Sequence, residues 1–414
     1  MGILWSCILW CLKAMGIKVA LLYLWCIYLT YLLLVRVPEN KCTCGAKPPV
    51  LIRDLALAEN ILTSTTLFSR SQPNRRLVQA FDIDNAFTTF DDETHREFVT
   101  RAKGLLHGPD SSTTSIIKLM RRRALEKPLR NRLKDFVPLQ TIVQVFCFRF
   151  VLLKFFSFSY VDTSSTSSIL RITELINSLW VSSKCSCSPN LPVLNLMQNE
   201  LRRELNLLFS HSEDESDNPL NLLLPTYETL WRVVLRCFLE VSFRNKSEST
   251  GWQGLFEEFL ENPTSKQFSK RTGRSSVQDI VNEALRLYPP TRRIYRQESD
   301  DSEVVAIDVE YLQRMEEVWG ADGKSFKPER WGVLEAAGHD KYKRAWMPFG
   351  KGNFQCPARK PAPIMIGVLV GLLIESFGSE DYLLHGQEWC VSNSNKEPLE
   401  NGREAMEELV ISIM

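Results

Sequence analysis

Residues Trp346 to Ala358 read WMPFGKGNFQCPA, and the reading of the fold turns on them. Two glycines, Gly350 and Gly352, stand ahead of a lone cysteine, Cys356, that opens an apolar segment reaching Phe377. Glycine takes backbone angles closed to other residues and lets a flat ligand approach the chain. Amides at the start of a helix donate to a thiolate and stabilise it. Earlier in the chain comes Glu283-Ala-Leu-Arg286, followed by Leu-Tyr-Pro-Pro, and between these and the cysteine lies Phe326-Lys-Pro-Glu-Arg330-Trp331. A Glu and an Arg three residues apart share one helical face. Planar guanidinium groups suit a buried, bidentate pairing with carboxylate.

The 50 Lys and Arg against 49 Asp and Glu leave a net charge of +1, which removes the electrostatic argument for a general nucleic-acid binder. With 44% hydrophobic residues the chain is globular rather than disordered. Eleven scattered cysteines form no dense disulfide framework and point to a reducing compartment. The pairs Cys42 with Cys44 and Cys185 with Cys187 could gather four thiolates on zinc, although their spacing is not that of the common zinc modules.

From Val19 to Val35 no residue is charged, and Arg36, Val37 and Pro38 follow in place of a small-residue cleavage site. An uncleaved membrane anchor is therefore expected over residues 1–36, a linker over 37–53 and a catalytic domain over 54–414. A second apolar stretch, Thr141 to Tyr160, contains Gln144, Arg149 and Lys154, which are costly in lipid, so it predicts a buried helix. Apolar periodicity predicts further helices over Asp54 to Leu62, Glu93 to Leu106, Leu194 to Phe209 and Asn221 to Val241, the last with Pro225 inside it. Strand-like sequence is confined to Val304–Val309 and to the end of the chain from Trp389. The expected fold class is mainly α with small β-sheets.

The three motifs stand in the order found in the cytochrome P450 family, and the sequence resembles those haem-thiolate monooxygenases, whose cysteine loop reads Phe-x-x-Gly-x-x-x-Cys. Phe349, Gly352 and Cys356 hold those positions. The resemblance is firm from about Leu220 to the C-terminus and looser over Val50 to Phe209. It implies a P450-like helical prism with a shortened amino-terminal part, an N-terminal transmembrane helix, and haem b as cofactor. Cys356 would be the iron ligand. Phe349, Gly350, Gly352 and Ala358 would line the cofactor, and Arg296 and His95 would meet its propionates. Glu283, Arg286 and Arg330 would form the family's buried network. On the distal side Glu228 and Thr229 would deliver protons through ordered water, beside a helix break in which Pro225 leaves a carbonyl free.

No flavin or nicotinamide fingerprint is present, so the resemblance implies an NADPH-dependent reductase as electron donor. It would dock at Lys341, Lys343, Arg344, Lys351, Arg359 and Lys360. The other expected partners are O2, a lipophilic small-molecule substrate and the membrane, and the style of the sequence resembles fungal members active in secondary metabolism. The likeness extends to a location at the endoplasmic reticulum with the body facing the cytosol. Pro361 and Pro363 depart from the pattern, because they predict a kink in the helix after Cys356. Two rival readings stay open: a haem-free, membrane-anchored scaffold, and a haem-thiolate isomerase or dehydratase that needs no reductase.

Overall fold

Asp54 accepts a hydrogen bond from the Leu57 amide at 2.7 Å and so starts α1 (Leu55–Ser64), which buries Leu55, Ala58 and Leu62. The structure is a computed structural model that describes residues 47–106, 110–123, 137–156, 165–184, 191–209, 218–338, 340–377, 382–386 and 397–413. The anchor segment and both Cys-x-Cys pairs lie outside the described residues. Among the described residues, no helix is long and apolar enough to cross a membrane.

Two small sheets accompany a helical body. Strand β1 (Val50–Ile52) runs parallel to β4 (Val305–Asp308), which pairs antiparallel with β3 (Arg293–Arg296). This sheet holds Arg296 beside Thr65 at the end of α1. The second sheet, β2 (Val137–Pro138), β6 (Val410–Ile413) and β5 (Tyr382–His385), ties the end of the chain to the start of α4 (Leu139–Phe155). Only Val410–Ile413 of the strand-like terminal stretch is a strand among its described residues.

Between these come α2 (Arg75–Phe81) and α3 (Asp92–Leu106), and after α4 follow α5 (Ser165–Ser182) and α6 (Leu191–Phe209). Helix α4 is apolar on all sides and is buried along nearly its whole length, as such a helix must be in water. Its Arg149 remains in the interior by donating to Thr166 at 2.6 Å.

The expected single helix over 221–241 is two helices, α7 (Leu220–Tyr227) and α8 (Leu230–Leu239), with a π-helical turn at Glu240–Arg244. Pro225 lacks the N–H that would bond the Asn221 carbonyl. That carbonyl is not left free: the side-chain amide of Asn85 donates to it at 3.1 Å, while Asn221 Oδ1 accepts from the Asp84 amide at 2.8 Å. In the π turn the buried Glu240 carboxyl accepts from Tyr288, Arg244 and Asn245, and burial pushes its pKa up.

The remaining core helices are α9 (Lys246–Glu261), α10 (Val277–Leu287), α11 (Arg330–Ala337) and α12 (Pro361–Phe377). Helix α12 begins after a 3-10 turn at Pro357–Arg359. Pro361 and Pro363 therefore occupy its first turn, where amides have no intrahelical acceptor, and the expected kink is absent for that reason.

Asn85 is 1% exposed, so Asn85→Ala should strand the Asn221 carbonyl without water and cost about 1–3 kcal/mol. The check is the urea-unfolding midpoint; an unchanged midpoint would show that the carbonyl gains nothing from the contact.

Candidate functional site

The cysteine loop is shaped by backbone bonds. The Cys356 amide donates to the Phe349 carbonyl at 2.9 Å, the Gly350 amide to Met347 at 3.0 Å and the Gln355 amide to Gly352 at 3.1 Å. Gly350 and Gly352 have φ of +66° and +70°, the left-handed region. A Cβ on Gly352 would lie 2.4 Å from the Leu62 carbonyl oxygen, so the loop rests directly on the end of α1. Burial pushes the Cys356 thiol up, while the Ala358 amide and the charge of Arg70 act the other way. Phe349 packs edge-on to Trp346 at 6.2 Å between ring centres.

Above this loop three cationic or basic side chains converge. Arg70, in the short helix Leu67–Ser71, donates to the Ala86 carbonyl at 2.5 Å and lies 3.1 Å from His95 Nε2 on α3. Its guanidinium stands 4.9 Å from the Phe354 ring centre, and the His95 ring meets the same phenyl edge-on at 5.3 Å. Arg296 on β3 donates to Thr65 Oγ1 at 3.0 Å and to the Tyr295 carbonyl at 2.7 Å. Burial pushes the pKa of each arginine down to about 10, and for Arg70 the neighbouring Arg296 adds to the effect. The His95 pKa is lowered by burial and by Arg70, as expected of a neutral imidazole accepting from the arginine.

No carboxylate lies within ion-pair distance of Arg70 or Arg296 among the described residues. Two buried arginines that repel one another beside a single thiol fit haem b. The soft sulfur suits iron, and two propionates would neutralise the arginines. Sequence reading identified Phe349, Gly350, Gly352, Cys356, Ala358, Arg296 and His95, which the structure gathers here; it missed Arg70. The available signal was the acid-free stretch Asn60 to Phe81, which carries Arg70, Arg75 and Arg76.

Glu283, Arg286 and Arg330 also come together. The fully buried Glu283 carboxylate accepts from Arg286 Nε and Nη2 at 2.8 Å and from Arg330 Nε at 2.8 Å. It also accepts from the Trp331 indole at 3.1 Å and the Lys327 amide at 2.9 Å. Burial would raise its pKa, but the two guanidinium groups outweigh it and hold the acid below its usual range. Gln313 links this network to the cysteine loop: its side-chain amide donates to the Arg286 carbonyl at 2.9 Å, and its oxygen accepts from the Met347 amide at 2.8 Å.

On the α7–α8 break, Glu228 is buried and ion-paired with Arg403. Thr229 is exposed between buried neighbours and donates a long 3.4 Å bond to the Pro225 carbonyl. Their partners belong to a different neighbourhood from the cysteine loop. Of the six basic residues on the proximal side, Arg344 and Lys351 are both bound by Glu59, Lys343 pairs with Asp340, and Lys341 donates to the Glu317 carbonyl. Two carboxylates therefore engage three of the six basic residues.

Removing Glu283 leaves the buried Arg286 uncompensated, while Arg330 keeps Asp322 at 3.1 Å, so Glu283→Ala should cost about 3–5 kcal/mol. Gly352→Ala should also lower the melting temperature, because the new methyl group meets the backbone of α1. Thermal unfolding of both variants checks this; wild-type stability in either would contradict the assigned contact.

Comparison with known proteins finds a family that part of the chain resembles. Residues 257–385 match the cytochrome P450 family model, a span that contains all three sequence motifs. A relative named cytochrome P450 714A2, from Arabidopsis thaliana, is 32% identical over 114 residues, covering 25% of this chain and 21% of its own. Cytochrome P450 monooxygenase claQ of Ampulloclitocybe clavipes is 27% identical over 146 residues, covering 29% of this chain and 27% of its own. The matched part thus spans about a quarter of these curated relatives. A cytochrome P450 crystal structure from Thermus thermophilus superposes with a TM-score of 0.56 at 18% identity, covering 79% of this chain and 81% of that one, and shares the fold. Through the cysteine loop, the Glu283 network and the helical frame that carries them, the chain is similar to the cytochrome P450 family over residues 257–385 and shares the fold of its solved members.

Proposed function

We propose that the protein is a haem-dependent monooxygenase that inserts one atom of O2 into a lipophilic small molecule in secondary-metabolite biosynthesis. Electrons would come from an NADPH-dependent reductase. In this reading residues 1–36 anchor the protein in the endoplasmic reticulum membrane, residues 37–53 form a linker, and residues 54–414 form the catalytic domain facing the cytosol. The observation that carries the proposal is the meeting of Cys356, on a loop fixed by Gly350 and Gly352, with the unneutralised Arg70 and Arg296. The fungal relative named as a monooxygenase supports it.

When bound, haem would supply the activation of O2. Cys356 would serve as its thiolate ligand, since metal binding displaces the thiol proton. The Ala358 amide and Arg70 would stabilise that negative sulfur. Arg70, Arg296 and His95 would hold the propionates, and Phe349 would fill the space beside the sulfur. Thr229 would hold a proton at Oγ, ready to part from the long bond to Pro225. Glu228 would enter proton delivery only by separating from Arg403.

One observation favours a second reading. Three of the six proximal lysines and arginines are held by this chain's own carboxylates, which weakens a docking surface for an acidic reductase. A haem-thiolate isomerase or dehydratase would need no such surface, and dependence of turnover on NADPH decides between the two.

The test is the carbon monoxide difference spectrum of the reduced, haem-loaded protein. A strongly red-shifted Soret band is expected, lost in Cys356→Ala; an identical spectrum in the variant would remove the thiolate assignment. In turnover assays Thr229→Ala should consume reductant without matching product, and preserved coupling would take Thr229 out of proton delivery.

A further inference from the structure

Around Trp180, near the end of α5, the chain assembles more positive charge than it neutralises. The guanidinium groups of Arg403 and Arg76 lie 4.9 Å and 5.7 Å from its ring centre. Arg76 donates to Ser183 Oγ at 2.7 Å, and Lys184 follows directly. From α8, Arg232 reaches the same neighbourhood, donating to the carbonyls of Pro290 at 2.7 Å and Asn401 at 2.9 Å. Glu228 is taken by Arg403, and Glu310 by Arg292 and Arg314. Among the described residues Arg76, Lys184 and Arg232 have no carboxylate within ion-pair distance.

Such crowding is unfavourable without a counter-charge. The Lys184 amine is pushed down to about 8, by burial first and then by Arg403, Arg76, Arg232 and Arg292. Burial and Arg403 push Arg232 down to about 10. The Nε atoms of Arg232 and Arg403 and the indole nitrogen of Trp231 are buried donors with no hydrogen-bond acceptor. A buried donor left without an acceptor costs about 1–3 kcal/mol. A ligand that brought several acceptor oxygens and a negative charge would meet both deficits at once. Arg232 lies three residues after Thr229, so this ligand would sit within one helical turn of the α7–α8 break.

We infer that the substrate is an amphipathic oxyanion whose head group docks on Arg76, Lys184 and Arg232 beside the Arg403–Glu228 pair. Carboxylate and phosphate monoester heads share the required chemistry: a negative charge and several acceptor oxygens on one centre. The inference rests on the monooxygenase reading for the word substrate, while the anion site itself stands on the side chains. Arg403 engages Glu228 and so keeps it from neutralising the three cations.

The test uses the full haem-loaded chain and three probes with the same tail: decanoate, decyl phosphate and decanol. Calorimetric dissociation constants should be at least about tenfold tighter for one or both anions than for decanol. The preferred anion distinguishes a carboxylate from a phosphate head. In Arg76→Gln and in Lys184→Gln the anion should lose most of that advantage while decanol binds as before, and Arg76→Lys should retain it. Equal affinity for anions and decanol, or an advantage that survives both neutral variants, would overturn the inference. A red-shifted carbon monoxide band without charge preference sinks the anion site alone. Charge preference without that band leaves the anion site and sinks the monooxygenase reading.

Discussion

A carboxylate in a dry interior normally takes up a proton, because desolvation penalises its charge more than most neighbours can offset. Glu283 escapes this by accepting from two guanidinium groups, an indole and a backbone amide. Those donors come from two pieces of chain, so the charge can persist only if α10 and the segment Lys327–Trp331 are both in place. Arg286 then spends its remaining donors on the carbonyls of Gln313, Gly323 and Ser325, and its guanidinium faces Trp319 at 4.9 Å. Removing the carboxylate would leave Arg286 buried among carbonyl dipoles with no countercharge, and Arg330 with Asp322 alone at 3.1 Å.

The cysteine loop inherits its position from this unit. Gln313 bonds the Arg286 carbonyl at one end of its side chain and the Met347 amide at the other, so the entrance to the loop is fixed by the network. The other side of the loop is fixed by contact, because Gly352 lies against the backbone of α1. Between these two supports Cys356 is held in place with the Ala358 amide directed at its sulfur. Rigidity of this kind suits a ligand atom, whose distance and direction to a metal must not drift.

What the sequence revealed follows the range of the interactions concerned. Glu283 with Arg286, and Phe349 with Gly352 and Cys356, are local patterns whose geometry is set by one turn of helix or one loop, so they could be read directly. The buried α4 and the helix beginning near Asp54 were legible for the same reason. Arg70 and Arg403 were not, because each acts on partners far away in sequence, Ala86 and His95 for the first and Glu228 for the second. The break at Pro225 could be foreseen, but not that Asn85 would occupy the freed carbonyl. The expected kink at Pro361 and Pro363 failed on a boundary: a 3-10 turn after Cys356 moves the helix start to Pro361, where proline fits.

The distribution of charge separates two faces of the same molecule. On the surface beside the cysteine loop Glu59 alone engages both Arg344 and Lys351, so basic residues there serve the packing of the loop on α1. Elsewhere the opposite holds: the buried Arg70 with Arg296, and the half-buried Arg76 and Arg232 with the exposed Lys184, are left to repel one another. Folding stability alone gives no reason for that arrangement, since desolvated like charges oppose it. A bound anion does give one. The first cluster stands beside the Cys356 thiol and the second within a turn of the exposed hydroxyl of Thr229, so under the proposed function the two deficits of negative charge are where cofactor and substrate would supply it.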